Sequence, residues 1–305
     1  MNVYPFIEAE KAEPEGNVAK ACHLLEVSRS AYYEWSSGTP SARELADAEL
    51  AEKVVDIFTK SRRTYGAPRI TTKLAEEGIR VGRKRVARLM VLRGLAGRAN
   101  RRFKRTTIAD PMAEPSAIDL IGRVFGPGVR EVDTAWCGDI TYVRTWEGWL
   151  YLATVIDLES RRVVGFAMAE HMRASLVCDA LEMAITQRRP APGLIFHADR
   201  GSQYTSGKFR KILNEHHIIQ SLSRPGQCWD NAVAESWFST LKEELIYRHA
   251  WPTRNQARRA IFEFIEVFYN RERLHSSLGD LTPVEYERRR KDGNDTLTWP
   301  HLGRF

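Results

Sequence analysis

Trp136-Cys137-Gly138-Asp139-Ile140-Thr141-Tyr142-Val143-Arg144 is the stretch on which the fold turns. It is rich in aromatic and β-branched residues and lacks proline, so it predicts a strand. A carboxylate, Asp139, stands inside it. Two more strands follow at 149–158 and 162–169, joined through Trp146-Glu147-Gly148 and Glu159-Ser160. Turns that short predict antiparallel hairpins. Next come a helix at 173–188, with Leu176, Ala180, Met183 and Ala184 on one face, and a strand at 193–197. A helix at 206–216, a strand at 218–222 and helices at 230–247 and 254–270 complete the pattern. The order β-β-β-α-β-α-β-α-α predicts an α/β fold, a mixed five-stranded sheet with flanking helices.

Upstream the period is helical. Ser41 and Glu44 form a capping-box pattern, and Leu50, Val54, Ile57 and Phe58 make one apolar face behind it. Tyr65-Gly66-Ala67-Pro68 opens a second helix that Gly78 stops, and a third runs from about 83 to 93. Its outer face carries Arg83, Lys84, Arg85, Arg88 and Arg93. Three short helices with a cationic third fit a small all-α helix-turn-helix module, though periodicity alone fits any small bundle. Earlier helices are expected at 17–25 and 28–36, with Ser28 as N-cap and Tyr32, Tyr33 and Trp35 packing a small core. The resulting divisions are an N-terminal helical segment at 1–40, a DNA-binding module at 41–97 and a basic linker at 98–130. The sheet domain at 131–290 and a tail at 291–305 follow.

The charge is uneven. Residues 61–105 hold 15 Lys and Arg against Glu76 and Glu77, a local +13 in a 305-residue chain of net +7. Such a block points to a polyanionic partner, with a solvated linker as the bland alternative. The four cysteines, 22, 137, 178 and 228, show no C-x-x-C spacing, and Cys22, His23, His216 and His217 lack partners at zinc-site spacing, so no structural zinc is expected. No apolar stretch is long enough for a membrane span, and the N-terminus lacks a signal-peptide pattern. A cytoplasmic, nucleoid-associated protein is expected.

Three carboxylates stand out by position: Asp139, Asp199 just past the fourth strand, and Glu235 in a helix. Burying an unpaired carboxylate in a strand is costly, and a metal ion relieves that cost. Hard oxygen ligands suit Mg²⁺ or Mn²⁺, and a pair of ions can serve both sides of a phosphoryl transfer. Taken singly, each acid also reads as a surface or capping residue, and Asp157, also on a strand, rivals Asp139.

Four ordered motifs go further. They are Trp136-x-x-Asp139-Ile140-Thr141-Tyr142, His197-x-Asp199-Arg200-Gly201-Ser202-Gln203-Tyr204, Asp230-Asn231-Ala232-x-x-Glu235-Ser236, and Tyr269-Asn270-x-x-Arg273-x-His275-x-x-Leu278 before Thr282-Pro283. With 35 residues between Asp199 and Glu235, the segment 136–285 resembles the catalytic core of insertion-sequence transposases of the DDE, retroviral-integrase-like superfamily. Tyr65-Gly66-x-Pro68-Arg69-Ile70 resembles the helical module before that core in the downstream-frame protein, and Val27-Ser28-Arg29-Ser30-x-Tyr32-Tyr33-x-Trp35 resembles its beginning.

The resemblance implies a ribonuclease-H-like core in which Asp139, Asp199 and Glu235 ligate two Mg²⁺ ions, Mn²⁺ substituting. It implies DNA 3′-end cleavage and strand transfer without a covalent protein intermediate. Arg200, Gln203, Tyr204, Asn231, Ser239 and Lys242 are candidate DNA contacts, Ser239 and Lys242 following Glu235 at i+4 and i+7. Asp230 reads equally as an N-cap, and His197 as a structural histidine. Expected partners are element and target DNA, further copies of the chain on DNA, and an upstream-frame helix-turn-helix and leucine-zipper protein joined by frameshift. The alternatives are a non-catalytic transposase-derived DNA-binding regulator, or a nuclease or resolvase that only hydrolyses.

Overall fold

The computed structural model describes residues 3–13, 16–98, 120–121, 127–223 and 232–293. Most of the expected linker and tail, together with Asp230 and Asn231, lies outside them. Helices α1 (Tyr4–Lys11), α2 (Val18–Leu24) and α3 (Arg29–Ser36) enclose a small core of Ile7, Cys22 and Tyr32. Asn17 and Ser28 cap α2 and α3 through side-chain oxygens. Helix α1 was not expected from the sequence.

Helix α4 (Ala42–Lys60) opens on the Ser41/Glu44 capping box, both halves of which are made. With α5 (Ala67–Glu76) and α6 (Arg83–Leu92) it buries Val54, Ile57, Ile70, Leu74, Val86 and Leu89. Stops at Gly78 and Gly94 have φ of 81° and 65°, left-handed values that glycine adopts without strain.

The sheet has the order β3-β2-β1-β4-β5. Strands β1 (Ala135–Thr145), β2 (Gly148–Asp157) and β3 (Val163–Ala169) are antiparallel, whereas β4 (Ile195–Ala198) and β5 (Ile219–Leu222) add in parallel to β1's other edge. One face packs on α7 (Ala174–Arg188) and α8 (Gly207–Glu215) through Trp136, Leu181, Phe196 and Phe209. The other packs on α9 (Ala232–Glu244) and α10 (Arg254–Glu263) through Cys137, Leu152, Trp237 and Ile261.

Two elements differ from expectation. Helix α10 runs on as a π-helix over Phe264–Glu272 rather than ending as an α-helix at 270. The apolar period does not separate the two ladders over so short a run. The wider segment carries Asn270, whose amide oxygen accepts from the Val163 N–H (3.1 Å) and whose NH₂ donates to the Val163 carbonyl (3.0 Å). A further helix, α11 (Pro283–Lys291), is capped by Thr282 and brings buried Glu287 to Arg188 and Arg162.

The helical module is clasped to the sheet domain. Buried Tyr65 donates its hydroxyl to the Glu272 carbonyl (3.1 Å) and accepts the Leu274 N–H (2.8 Å). Arg62 pairs with Glu263 at 2.6 Å, and its carbonyl accepts from Arg248. Thr72 donates to Asp280 at 3.2 Å.

Candidate active site

Strand register brings the two aspartates together. In the parallel β1–β4 ladder the last paired residues are Cys137 and His197. Asp139 and Asp199 each lie two residues beyond, so alternation turns both toward the face of Cys137, the face covered by α9. Glu235 is in the first turn of α9, exposed at its rim. Gly138 makes the approach possible: a Cβ there would sit 2.5 Å from the Phe196 ring.

Two backbone N–H groups hold the aspartates. Ile140 donates to Asp139 Oδ1 (2.7 Å) and Gly201 to Asp199 Oδ1 (2.9 Å). A side chain on Gly201 would meet Asp199 Oδ1 at 2.9 Å, so glycine keeps this carboxylate accessible. Burial pushes the Asp139 carboxyl up to about 7, and the like charges of Asp199 and Glu235 push the same way. The Ile140 bond and the nearby Lys242 ammonium oppose them. Burial also raises Glu235. Opposite Asp139 on β2, buried Thr154 has a hydroxyl without a partner among the described residues.

These carboxylates repel one another and present hard oxygens, which fits a divalent cation of the Mg²⁺ type. Among the described residues no three His, Cys, Asp or Glu side chains already stand close enough to enclose an ion. Asp139 and Asp199 are the nucleus of the site, with Glu235 standing off on α9.

Asp157, the rival, has a structural job. It is wholly buried at the end of β2, and its oxygens accept from the N–H groups of Asp133, Glu159 and Ser160 and the Ser160 hydroxyl. His197 is buried against the Ser221 hydroxyl at 2.9 Å. Arg273 and Glu244 form a buried two-pronged pair at 2.9 and 2.7 Å.

The expected DNA contacts divide. Lys242 lies over the Tyr142 ring, 5.6 Å from its centroid, on the flank of Asp139, and Ser239 is half-buried one turn before it. Exposed Arg200 donates to the Ser223 carbonyl (3.0 Å), and Gln203 to the Met172 carbonyl (3.0 Å). Tyr204 differs from expectation: it is buried between Phe196 and Phe209, so its ring is core and offers no surface to DNA. The cationic face of α6 is partly committed too. Arg85 and Arg88 pair with Asp47 and Arg93 with Glu52, while Arg83 and Lys84 make no ion pair with any described residue. Asn231 lies outside the described residues.

The sequence reading missed the part played by Gly138 and the gathering of Arg69, Arg161 and Arg273 beside α9. A glycine directly before a strand aspartate was the available signal for the first. The second joins residues too distant in the chain to leave one.

Family comparisons agree with this architecture. The integrase core domain matches residues 130–228, a second integrase core domain 216–283, and an HTH-like domain 44–103. The chain is therefore an integrase-core polynucleotidyl transferase of the DDE class, with an HTH-like domain before the core. It is 41% identical over 265 residues to the insertion element IS600 uncharacterized 31 kDa protein of Shigella sonnei, covering 87% of this chain and 96% of that one. To the transposase InsF for insertion sequence IS3A of Escherichia coli K12 it is 39% identical over 289 residues, 93% and 98% of the two chains. The chain belongs to the IS3-family insertion-sequence transposases. Among solved structures it resembles the simian T-cell lymphotropic virus intasome in complex with PP2A regulatory subunit B56 gamma (TM-score 0.45, 18% identity, 64% of each chain). It also resembles the HTLV-2 integrase catalytic core domain in complex with magnesium (TM-score 0.38, 18% identity, 52% of this chain and 97% of that one). Among the described residues no helix is long and apolar enough to cross a membrane.

Proposed function

We propose that Asp139, Asp199 and Glu235 are the catalytic carboxylates of this DNA transposase, and that they hold two Mg²⁺ ions for which Mn²⁺ can substitute. The observation that carries this is the convergence of Asp139 and Asp199 from adjacent parallel strands, with Glu235 close enough for its charge to reach Asp139. Bound there, the ions would supply Lewis-acid activation of a water or a DNA 3′-OH and stabilise the leaving oxygen. The chain's own residues do the rest. The Ile140 and Gly201 N–H groups fix the aspartates, and Lys242 offers a cation to a phosphate beside them.

Ser239 lies one turn before Lys242, Arg200 and Gln203 closely follow Asp199, and Asn231 precedes α9 in the sequence; we assign them to the DNA strand. Arg83 and Lys84 are the α6 cations left for a phosphate backbone, while Arg85, Arg88 and Arg93 would have to exchange a carboxylate for one. The product is cleaved element 3′ ends joined to target DNA, which calls for two copies of the chain on DNA. End recognition would draw on an upstream-frame helix-turn-helix and leucine-zipper protein fused by frameshift, and the protein would act at the nucleoid in the cytoplasm. The functional divisions are 1–40, 41–97, 98–130, 131–290 and 291–305.

The test is strand transfer of pre-cut ends in Mn²⁺ or Mg²⁺, alone and fused to the upstream protein. Wild type joins ends and Glu235→Gln does not. A folded Glu235→Gln protein that joins ends at the wild-type rate would sink the triad. DNA binding with no joining in either format would favour the non-catalytic regulator, and hydrolysis without joining would favour a nuclease or resolvase.

A further inference from the structure

A cleft of about 380 Å³ lies between the helical module and the sheet domain, beside the first turn of α9. Three arginines line it: Arg69 from α5, Arg161 from the β2–β3 turn and Arg273 from beyond the π-helix. Arg273 is neutralised by Glu244, whereas Arg69 makes no ion pair with any described residue and lies over the Tyr65 ring, 5.4 Å from its centroid. Arg69 therefore brings to the cleft a positive charge that no described residue neutralises.

Two buried polar groups also border it without a partner among the described residues. Trp237 is 2% exposed and His275 7%, and neither the indole N–H nor the His275 Nε2 is hydrogen-bonded. Leaving such groups unpaired costs about 1–3 kcal/mol each. An incoming ligand with polar oxygens would pair the indole N–H, and the hydroxyl of Ser236, also on the wall, offers another donor. Ser236 directly follows Glu235, so this cleft and the carboxylate site share one helical turn.

We propose that this cleft binds a phosphodiester of the DNA strand near the reacting one, held by Arg69, by the Trp237 N–H and by Ser236. The proposal rests on the chain being a DNA transposase but not on the assignment of its carboxylates. Arginine in a half-buried site suits phosphate, since its planar fork offers paired donors and is weakly hydrated. Arg69 comes from the helical module and the other groups from the sheet domain, so a strand seated here holds the two together.

The experiment is anisotropy titration of a short fluorescein-labelled duplex with a recessed end, in EDTA so that no chemistry intervenes. Arg69→Gln is expected to weaken binding about tenfold and to flatten the salt dependence by about one phosphate contact. Trp237→Phe, which leaves Arg69 in place, weakens binding through the lost N–H. Neutral methylphosphonate scanned along the strand identifies one position that costs wild type about tenfold and Arg69→Gln nothing. Wild-type binding with unchanged affinity and salt slope in both variants would overturn the cleft and leave the transposase reading intact. A wild-type protein that binds no DNA would overturn both.

Discussion

Tyr65→Phe removes one oxygen from a wholly buried contact between the helical module and the sheet domain. That oxygen accepts the Leu274 N–H at 2.8 Å and donates to the Glu272 carbonyl at 3.1 Å. Leu274 is 2% exposed, so water does not replace the lost acceptor. A buried N–H left unpaired costs about 1–3 kcal/mol, and loss of the second bond adds about 1 kcal/mol. The expected loss is about 2–4 kcal/mol, large beside a domain stability of about 5–15 kcal/mol. Urea denaturation of both proteins measures it, and amide exchange at Leu274 locates it. A loss under about 0.5 kcal/mol, with Leu274 still protected, would refute the idea that this hydroxyl clasps the module.

Asp139→Asn should stabilise the metal-free protein in a pH-dependent way. The folded carboxyl, at about 7, lies above its ordinary 3.8, so wild type loses stability as pH rises from about 4 to 7. The difference between the proteins in EDTA should be near zero at pH 4, grow to at most about 4 kcal/mol and level off above pH 7; a pH-independent difference would refute the burial argument. Glu244→Gln should cost about 3–5 kcal/mol in urea melts, because it leaves Arg273 buried without its counter-charge. Gly138→Ala should cost about 1–3 kcal/mol by driving a methyl group into the Phe196 ring, and should slow strand transfer by displacing Asp139.

Local chemistry was legible in the sequence. The Ser41/Glu44 box, the Ser28 cap and the Gly78 and Gly94 stops each depend on residues within one turn, and each formed as read. The three hairpin strands were legible because they are rich in aromatic, β-branched and other apolar residues and their turns are short. Asp139 and Asp157 were not separable by local pattern. Asp157 takes three donors from the turn just after it, at Glu159 and Ser160, and a fourth from Asp133, 24 residues earlier, whereas Asp139 takes one from Ile140. The cations of α6 were legible but their pairing was not: Asp47 and Glu52, which pair with three of them, sit about 40 residues earlier on α4. Tyr204 belonged to a motif whose polar members read as DNA contacts, and only the aromatic neighbours Phe196 and Phe209 show it to be core.

The clasp at Tyr65 also sets an order of assembly on the ribosome. Helices α4, α5 and α6 pack on one another and emerge before the sheet domain. Their anchor points, Glu263, Glu272, Leu274 and Asp280, are synthesised some 200 residues later. A module made early is thus among the last to be fastened. Until the chain has grown past residue 280, a nascent transposase carries its basic module on an unfastened tether, and the cleft that Arg69 shares with Arg273 does not yet exist. A polypeptide cut short inside the π-helix would retain Asp139, Asp199 and Glu235 and still lack the Tyr65 and Thr72 contacts that fasten the module.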